Sequence, residues 1–198
     1  MTKTTLYFAT GNKGKFLSLQ KYLKEYGVDV ELKQAPLDLV EPQATTATEV
    51  ARSKAEQAYA QLNAPVVVDD SSFHIRALGG FPGPYIKYML STIGIEGILE
   101  FLSHHEDRSA YFLSTLVYID EFGKEHIFED EPYGGTIADS IVTIDREESW
   151  SDLYKVFIPD GATKTLVELS AAERKSLAKN GDSYGKFAQF IKQAESSL

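Results

Sequence analysis

The start of the chain predicts a strand followed by an amphipathic helix. Residues 5–9 form a short, mainly apolar run that is typical of a strand. Phe16, Leu19 and Leu23 then recur at helical spacing up to Gly27, a residue type that commonly ends a helix. The residues between the two runs are few and polar, so we expect a turn that leads directly into the helix.

The next segments repeat this order of strand and helix. Residues 28–34 predict a second strand, and residues 35–43 predict a loop. Three valines at 66–68 begin a further strand, and the resulting order of strand, helix, strand, helix, strand indicates a sheet covered by helices. Residues 45–62 supply the second helix, with Thr45 or Thr46 as its cap and one face made of Ala47, Ala51, Ala55, Ala58 and Leu62.

The middle of the chain predicts two short helices and a pair of antiparallel strands. The helices are expected at residues 85–91 and 94–102. Residues 109–119 are apolar on both faces, which is typical of a central strand that is covered on both sides. A polar turn at 120–124 and residues 125–130 complete a hairpin, so we expect a mixed sheet.

The last third of the chain predicts shorter elements. Residues 133–137 contain two adjacent glycines and are interpreted as a bend, and residues 153–158 as a short strand. Ser170 and Glu173 have the spacing of a capping box, which predicts a helix to about Lys179. A final amphipathic helix is indicated by Phe187, Ile191, Ala194 and Leu198.

Composition and charge limit the kind of protein. The chain has 198 residues, of which 43% are hydrophobic, enough for one domain or one domain of two lobes. It contains no cysteine, which excludes disulfides and thiolate metal sites and fits a reducing cytoplasm. No segment approaches the ~20 apolar residues of a membrane span, and the first residues do not form a signal peptide. We therefore expect a soluble, cytoplasmic protein without a membrane partner.

The net charge narrows the range of ligands. A formal charge of −9 argues against binding along a nucleic-acid backbone, because proteins of that class usually carry a basic face. A small polyanionic ligand remains compatible with this charge if positive side chains gather locally.

The predicted strand that begins with the three valines is expected to end at two adjacent carboxylates. Asp69 and Asp70 come directly after residues 66–68, and three glycines and two prolines follow at 79–84. Ligands of open α/β sheets bind beyond the carboxyl ends of the strands, so this order favours a cleft that contains acid. Adjacent residues of an extended chain point to opposite sides, so one pocket receives at most one of the two carboxylates. An acidic pair taken alone is more often a strand end exposed to water.

A candidate anion site lies at the start of the first helix. Residues 10–15 combine two glycines and an asparagine with Lys13 and Lys15, between a predicted strand and a predicted helix. Backbone N–H groups and the helix dipole favour an anion at such a place, and lysine adds net positive charge. The spacing differs from that of a Walker A loop. A simple turn with solvated lysines explains these residues equally well.

Two segments resemble the signatures of a known family. Residues 10–15 resemble the Ser/Thr-x-Asn-x-x-Lys opening of the inosine triphosphate pyrophosphatase family, also called the noncanonical purine nucleoside triphosphate pyrophosphatases. Residues 69–73 and 77–87 resemble the second signature of that family in both order and spacing. The similarity extends over essentially the whole chain, through residues 157–161 and the pair at 179–180.

The resemblance implies both a fold and an activity. The fold is α/β, an elongated mixed central sheet with helices on both faces, two lobes and a cleft between them, within a single domain over residues 1–198. The protein is expected to form a homodimer. The implied activity is Mg²⁺-dependent hydrolysis of a nucleoside triphosphate such as ITP, dITP or XTP between the α and β phosphates, which gives the monophosphate and pyrophosphate.

The resemblance also implies roles for individual residues. Asp70 would be the general base, with Lys15 as a second catalytic residue, and Glu41, Asp69 and Asp70 would lie around the Mg²⁺. Metal and lysines neutralise the triphosphate, a carboxylate orients the attacking water, and Mg²⁺ prefers such hard oxygen ligands. The residues that would bind the substrate are Thr10, Asn12, Lys15, Lys54, Ser71, Lys87, Phe157, Lys179 and Tyr184.

The chain departs from the family pattern where other members recognise the base. Residues 151–155 replace a Phe-Gly-Trp/Tyr-Asp-Pro segment, and Ser183, Tyr184 and Gly185 replace Ser-His-Arg. Those family residues stack on the purine and bond its 6-oxo group, so an altered base preference is one expectation. The alternative is a nucleotide-binding homologue with lost or weak turnover. Retention of Lys15, Glu41, Asp69, Asp70 and Lys87 favours the enzyme.

Overall fold

The computed structural model describes residues 4–146, 149, 151–177 and 182–195. Within these ranges the chain forms eight strands and six α-helices. The strands are β1 (Thr4–Phe8), β2 (Val30–Gln34), β3 (Val66–Ile75), β4 (Pro82–Gly83), β5 (Ser109–Ile119), β6 (Glu125–Glu129), β7 (Tyr133–Ile137) and β8 (Phe157–Pro159). The helices are α1 (Lys13–Glu25), α2 (Ala47–Leu62), α3 (Ile86–Thr92), α4 (Gly94–Leu102), α5 (Ala171–Leu177) and α6 (Ser183–Glu195).

The strands form one mixed sheet. Its main order is β2-β1-β3-β5-β7-β8, with β4 paired to β3 and β6 paired to β5. β1 runs parallel to β2 and to β3, whereas β5 is antiparallel to β6 and β7, and β7 is antiparallel to β8. The predicted mixed α/β fold is therefore confirmed.

The chain divides into two compact units that alternate along the sequence. The first unit comprises Met1–Asp70, Ser114–Asp130 and Asn180–Leu198, and the second comprises Ser71–Leu113 and Glu131–Lys179. Strands β3 and β5 each contribute residues to both units. The prediction of a single domain with two lobes and a cleft stays a prediction.

In the first unit, helices cover both faces of the sheet. Val67 packs in one buried cluster with residues of α1 and α6, whereas its neighbours Val66 and Val68 pack in another cluster with the alanines of α2. Alternate residues of a strand point to opposite faces, so α1 and α6 lie on one face and α2 on the other. The small residues Ala51 and Ala55, which have no exposed surface, allow α2 to pack closely against the strands.

Local capping fixes where α1 and α2 of the first unit begin. Asn12 caps α1 by accepting a hydrogen bond from the Lys15 N–H, and Gly27 adopts φ +66 just beyond the end of the helix. Thr46 and Glu49 form a capping box at the start of α2. Both predicted helices are confirmed, and Thr46 is the cap of the second.

The second unit has an aromatic core. Phe73 of β3, Phe112 of β5 and Phe157 of β8 contact one another, with ring centroids 4.6 to 5.8 Å apart. Phe157 is held against β7 because Gly135 has no side chain, and a Cβ there would collide with the Phe157 ring and the Ile158 carbonyl oxygen. This close approach is what the glycine provides.

Three predictions about strands need correction. β3 does not end at the carboxylates but continues to Ile75. Residues 133–137 are not a bend but the strand β7, paired with both β5 and β8. Residues 153–158 begin as a 3₁₀ helix at Asp152–Lys155 that Ser151 caps, and only then become β8. In each case tertiary pairing or capping outweighed the local residue preferences.

The remaining helix predictions agree with the structure over the described residues. The short helices α3 and α4 are present, Ser170 and Glu173 form the expected capping box at the start of α5, and α6 ends the described chain. The helix predicted to reach Lys179 is described to Leu177, and Lys179 and Leu198 lie outside the described residues. Across the described ranges, every helix is too short or too polar to cross a membrane.

Candidate active site

A buried carboxylate, Asp69, is the centre of the first cluster of candidate residues. Its Oδ1 accepts a hydrogen bond from the Ser114 hydroxyl at 2.6 Å. Its Oδ2 accepts one from the Tyr184 hydroxyl at 2.7 Å and lies 3.1 Å from Lys15 Nζ. The Asp69 side chain has no exposed surface. A buried charge needs such partners, and both oxygens of Asp69 have them.

The alternation of strand residues explains which elements meet at Asp69. Asp69 lies two residues after Val67 and therefore on the face that α1 and α6 cover. Ser114 is on the same face of β5, two residues before Leu116, which belongs to the same cluster. Lys15 reaches Asp69 because β1 pairs in parallel with β3 and α1 begins just after β1 ends. Lys15 therefore lies beyond the carboxyl end of β1, at the edge of the sheet where ligands of open α/β sheets bind.

The Asp70 side chain lies on the opposite face of the sheet, where it contacts Lys54 of α2. Its Oδ1 lies 3.1 Å from Lys54 Nζ, and the same nitrogen lies 3.0 Å from Glu41 Oε1. The side chains of Lys54 and Asp70 are each 13% exposed, whereas that of Glu41 is 48% exposed. One ammonium group therefore joins a largely buried carboxylate to a solvent-facing one.

The loop that carries Glu41 is fixed by a residue of α2. Gln57 donates to the Val40 carbonyl at 2.8 Å and accepts from the Val40 N–H at 2.9 Å. Gln57 lies three positions after Lys54, so both side chains project from the same side of the helix. This pair of bonds places Glu41 beside the Lys54 ammonium without requiring regular structure in residues 35–44.

Burial and neighbouring charges shift the pKa values of Asp70 and Lys54. Burial raises the pKa of Asp70 above its ordinary value, against the opposing effects of the nearby Lys54 and Lys15 charges. Burial alone would lower the pKa of Lys54, but the charges of Asp70 and Glu41 outweigh it and raise that pKa. Lys54 therefore stays protonated, while Asp70 is a stronger base than an exposed aspartate.

Hydrogen bonds among the residues at the start of α1 stabilise the turn that precedes the helix. Thr10 Oγ1 accepts a hydrogen bond from the Asn12 N–H at 3.1 Å, and Asn12 Oδ1 accepts one from the Lys15 N–H at 3.1 Å. The first N–H groups of a helix have no partner within that helix. This turn directs them, together with the positive end of the helix dipole, outward beyond the strand.

A further acid, the half-buried Asp130, lies beside the start of α6. Asp130 accepts a short hydrogen bond from the Ser183 N–H, and Asp182 accepts hydrogen bonds from the Gly185 N–H and the Tyr22 hydroxyl. Burial raises the pKa of Asp130 to about 6, although the Ser183 N–H acts in the other direction. This group was not among the predicted site residues.

The structure brings together six of the predicted site residues in two clusters. Lys15, Asp69 and Tyr184 form one, and Lys54, Glu41 and Asp70 form the other, all within the first unit. Thr10 and Asn12 lie in the turn that leads to Lys15. The second unit contains Ser71, which follows Asp70 directly, and the exposed Lys87 in the first turn of α3.

Two predicted substrate contacts need a different interpretation. Phe157 has no exposed surface and packs in the aromatic core of the second unit, so it is a core residue in this structure. Tyr184 is only 4% exposed, and its hydroxyl donates to Asp69 and not toward an open surface. Both side chains are held inside because each has a large ring that packs with other rings. Lys179 lies outside the described residues.

Ser114 was not among the predicted site residues. The local signal was a pair of hydroxyl residues, Ser114 and Thr115, in the middle of a strand that is otherwise largely apolar on both faces. A buried hydroxyl requires a hydrogen-bond partner, so this position could have been predicted to face a polar group of a neighbouring strand. The identity of that group depends on strand pairing, which the local sequence does not contain.

Comparisons with known proteins point to one family. A sequence model of the Ham1 family matches residues 6–190. The dITP/XTP pyrophosphatase of Methanopyrus kandleri is 36% identical over 185 residues, which cover 93% of this chain and 95% of that protein. The inosine triphosphate pyrophosphatase of Kluyveromyces lactis is 28% identical over 195 residues, which cover 96% of this chain and 97% of that protein.

A solved structure shows the same fold. The Ham1 protein of Staphylococcus aureus superimposes with a TM-score of 0.79 at 21% sequence identity, covering 96% of this chain and 100% of that chain. At this identity the likeness concerns the fold alone. The sequence match over residues 6–190, together with the relative that is 36% identical, establishes that the chain belongs to the Ham1 family.

Proposed function

We propose that the protein is a nucleoside triphosphate pyrophosphatase that hydrolyses noncanonical purine nucleotides such as dITP, ITP and XTP. The observation that carries the proposal is the Lys54 ammonium between Asp70 and Glu41, at the carboxyl end of a buried run of β3. It combines a base, a phosphate-binding cation and an exposed oxygen ligand in one place. The names of relatives that match over nearly the whole chain supply the substrate class.

Lysines of the first unit would neutralise the triphosphate. Lys15 and Lys54 belong to the two clusters, and the start of α1 adds the N–H groups that follow Asn12. A triphosphate concentrates several negative charges, and their stabilisation is the main requirement of phosphoanhydride cleavage. The exposed Lys87 of the second unit remains a predicted further phosphate ligand.

The carboxylates suit a Mg²⁺ ion that binds together with the substrate. Among the described residues no group of three or more His, Cys, Asp or Glu side chains is placed to hold a metal by itself. Mg²⁺ commonly uses one or two carboxylates, several waters and the phosphates of its nucleotide. Glu41 and Asp70 would provide those carboxylates, whereas both oxygens of Asp69 are engaged by Ser114, Tyr184 and Lys15. When bound, the ion would neutralise phosphate charge.

Asp70 would act as the general base. Its raised pKa strengthens it as a proton acceptor, because a base is most effective when its pKa approaches the working pH. Asp70 would take a proton from a water whose oxygen bonds to the α-phosphorus. The bond from that phosphorus to the bridging oxygen would break, and pyrophosphate would leave with the electron pair. The products are the nucleoside monophosphate and pyrophosphate.

We propose further that the protein is a cytoplasmic homodimer. The second unit exposes several large apolar side chains, including Tyr88 at 71%, Phe81 at 50% and Tyr85 at 40%. Exposed apolar area of this kind is typical of a surface that binds another protein, here a second copy. Sedimentation of the wild type and of Tyr88→Ser tests this, because the substitution should shift a dimer toward monomer.

The test of function is pyrophosphate release from a panel of ITP, dITP, XTP, GTP and ATP, with Mg²⁺ and with EDTA. Release that needs the metal and favours ITP, dITP or XTP is the expected result. Release that favours another base would retain the chemistry but overturn the substrate class. Nucleotide binding without release from any member would instead support a nucleotide-binding protein that has lost turnover.

A further inference from the structure

Two different donors use the same oxygen of Asp69. Tyr184 donates its hydroxyl hydrogen to Oδ2 at 2.7 Å, and Lys15 Nζ lies 3.1 Å from that oxygen. Tyr184 is 4% exposed and the Lys15 side chain is 16% exposed. The phenol and the ammonium group are therefore coupled through one buried atom, while the lysine retains some access to solvent.

The arrangement holds Tyr184 in the form that donates. Burial, followed by the charge of Asp69, raises the pKa of the Tyr184 phenol well above its usual range. The ring is fixed by packing with Leu19 and Phe187 in the buried cluster and lies 5.8 Å from the ring of Tyr22. Its hydroxyl is thus directed at Asp69.

We propose that Tyr184 is a positioning residue for Lys15, acting through Asp69, and that it does not contact the base of the nucleotide. The inference rests on the proposed function, because it assigns Lys15 to the phosphates of the substrate. By bonding Oδ2, Tyr184 shares the negative charge of that oxygen with Lys15. This weakens the ion pair between Asp69 and Lys15, so that the Lys15 ammonium group binds a phosphate more readily.

Removal of the hydroxyl changes this balance in a definite direction. In Tyr184→Phe, the Oδ2 atom keeps Lys15 as its charged donor, and the ion pair tightens because a buried carboxylate needs compensation. A phosphate must then compete more strongly for the same ammonium group. We expect KM to rise about ten-fold with kcat nearly unchanged, the size of effect that one hydrogen bond to a charged group can produce.

The chain offers a matched control at Tyr22. Its ring neighbours that of Tyr184, but its hydroxyl donates to Asp182, whereas that of Tyr184 donates to Asp69. Tyr22→Phe deletes the same atom in the same surroundings and should leave KM unchanged. Thermal unfolding of both variants separates a loss of stability, which either variant could show, from a change in KM.

A double-mutant cycle tests the route through Lys15 directly. The effect of Tyr184→Phe on KM is measured in the wild type and in Lys15→Met, with Lys15→Gln as a second background should the first fail to fold. If Tyr184 acts through Lys15, its effect disappears when the ammonium group is absent. A merely structural contribution of the phenol would give the same factor in both backgrounds and would overturn the inference.

A binding measurement separates this inference from the proposed function. Inorganic tripolyphosphate has the phosphate chain of the substrate but no nucleobase. Calorimetric titration with it therefore measures binding of the phosphates alone. Weaker binding by Tyr184→Phe than by Tyr22→Phe is expected even if the wild type releases no pyrophosphate, a result that would overturn only the function. Normal release of pyrophosphate with equal tripolyphosphate affinity in both variants would overturn only the inference. Absence of tripolyphosphate binding by the wild type would also overturn the inference.

Discussion

Asp69 and Asp70 are joined by a single peptide bond, yet their carboxylates pair with different lysines on opposite faces of the sheet. Asp69 Oδ2 lies 3.1 Å from Lys15 Nζ, and Asp70 Oδ1 lies 3.1 Å from Lys54 Nζ. The first carboxylate is fully buried with three donors, and the second remains partly accessible next to the exposed Glu41. In the proposed mechanism, Asp69 would position Lys15, whereas Asp70 would accept a proton from the attacking water.

Asp70→Asn should abolish most pyrophosphate release. An amide has no basic oxygen comparable to a carboxylate, so kcat should fall by about 10²- to 10⁴-fold, the usual contribution of a general base. The fold should persist, because Lys54 keeps Glu41 as a partner. Steady-state kinetics and circular dichroism check both statements. Asp139→Asn, at a side chain that is 93% exposed, serves as the control, and wild-type turnover by Asp70→Asn would refute the assigned base.

Asp69→Ala should destabilise the protein whether or not metal is present. The substitution removes the carboxylate that accepts from the hydroxyls of Ser114 and Tyr184 and pairs with the Lys15 ammonium group. Breaking a buried ion pair in this way costs about 3–5 kcal/mol in the free energy of unfolding. Urea denaturation in EDTA measures it, with Asp139→Ala as the control. A loss seen only in Mg²⁺ buffer would identify Asp69 as a metal ligand instead.

Glu41→Gln should weaken metal binding without weakening the fold. Glu41 lies in a loop with about half of its side chain exposed, so its charge contributes little to stability. Removal of a carboxylate near the ion should raise the Mg²⁺ concentration for half-maximal turnover about ten-fold or more. A titration of rate against Mg²⁺ measures this. Glu31→Gln, at a similarly exposed ion pair, should leave the titration unchanged, and equal curves for both variants would remove Glu41 from the metal site.

Asp130→Asn should stabilise the protein at neutral and alkaline pH. The pKa of this carboxyl rises from 3.8 to about 6 on folding, so the folded state holds the proton more tightly than the unfolded state. The contribution of this proton to the free energy of unfolding is fully present below about pH 4. It is lost as pH rises through about 6, a change of about 3 kcal/mol. An asparagine does not ionise and still accepts the Ser183 N–H.

Unfolding free energies of the wild type and Asp130→Asn at pH 4.5, 6 and 8 check this prediction. The free energy of unfolding of the variant should increase relative to that of the wild type as pH rises, and the variant should be the more stable of the two at pH 8. Asp139→Asn should follow the wild type throughout. A constant difference between Asp130→Asn and the wild type across this range would show that Asp130 has an ordinary pKa.

The helices could be predicted because the residues that specify them lie close together in the sequence. Leu19 and Leu23 repeat at helical spacing, and both Thr46 and Ser170 stand three residues before a glutamate. The central strand β5 was predictable for a similar reason, since an apolar run on both faces has few other stable environments. The two faces of Asp69 and Asp70 likewise follow from the alternation of an extended chain.

Gly135 shows what the local sequence could not reveal. Adjacent glycines usually favour a turn, yet here the missing side chain allows Phe157 to approach the strand. The partner is more than twenty residues away in the sequence, so the purpose of the glycine depends on the fold. The role of Tyr184 was hidden in the same way, because its acceptor is Asp69 at a separation of 115 residues.

The order of the segments in the first unit has a consequence for biosynthesis. Lys15 belongs to α1 and Tyr184 to α6, and the ribosome makes the whole second unit between these two helices. Until residues 182–195 emerge, the nascent chain has Asp69 and Lys15 but no phenol to share the carboxylate. The charged centre therefore reaches this set of partners only after the ribosome has made the second unit, which has had time to collapse.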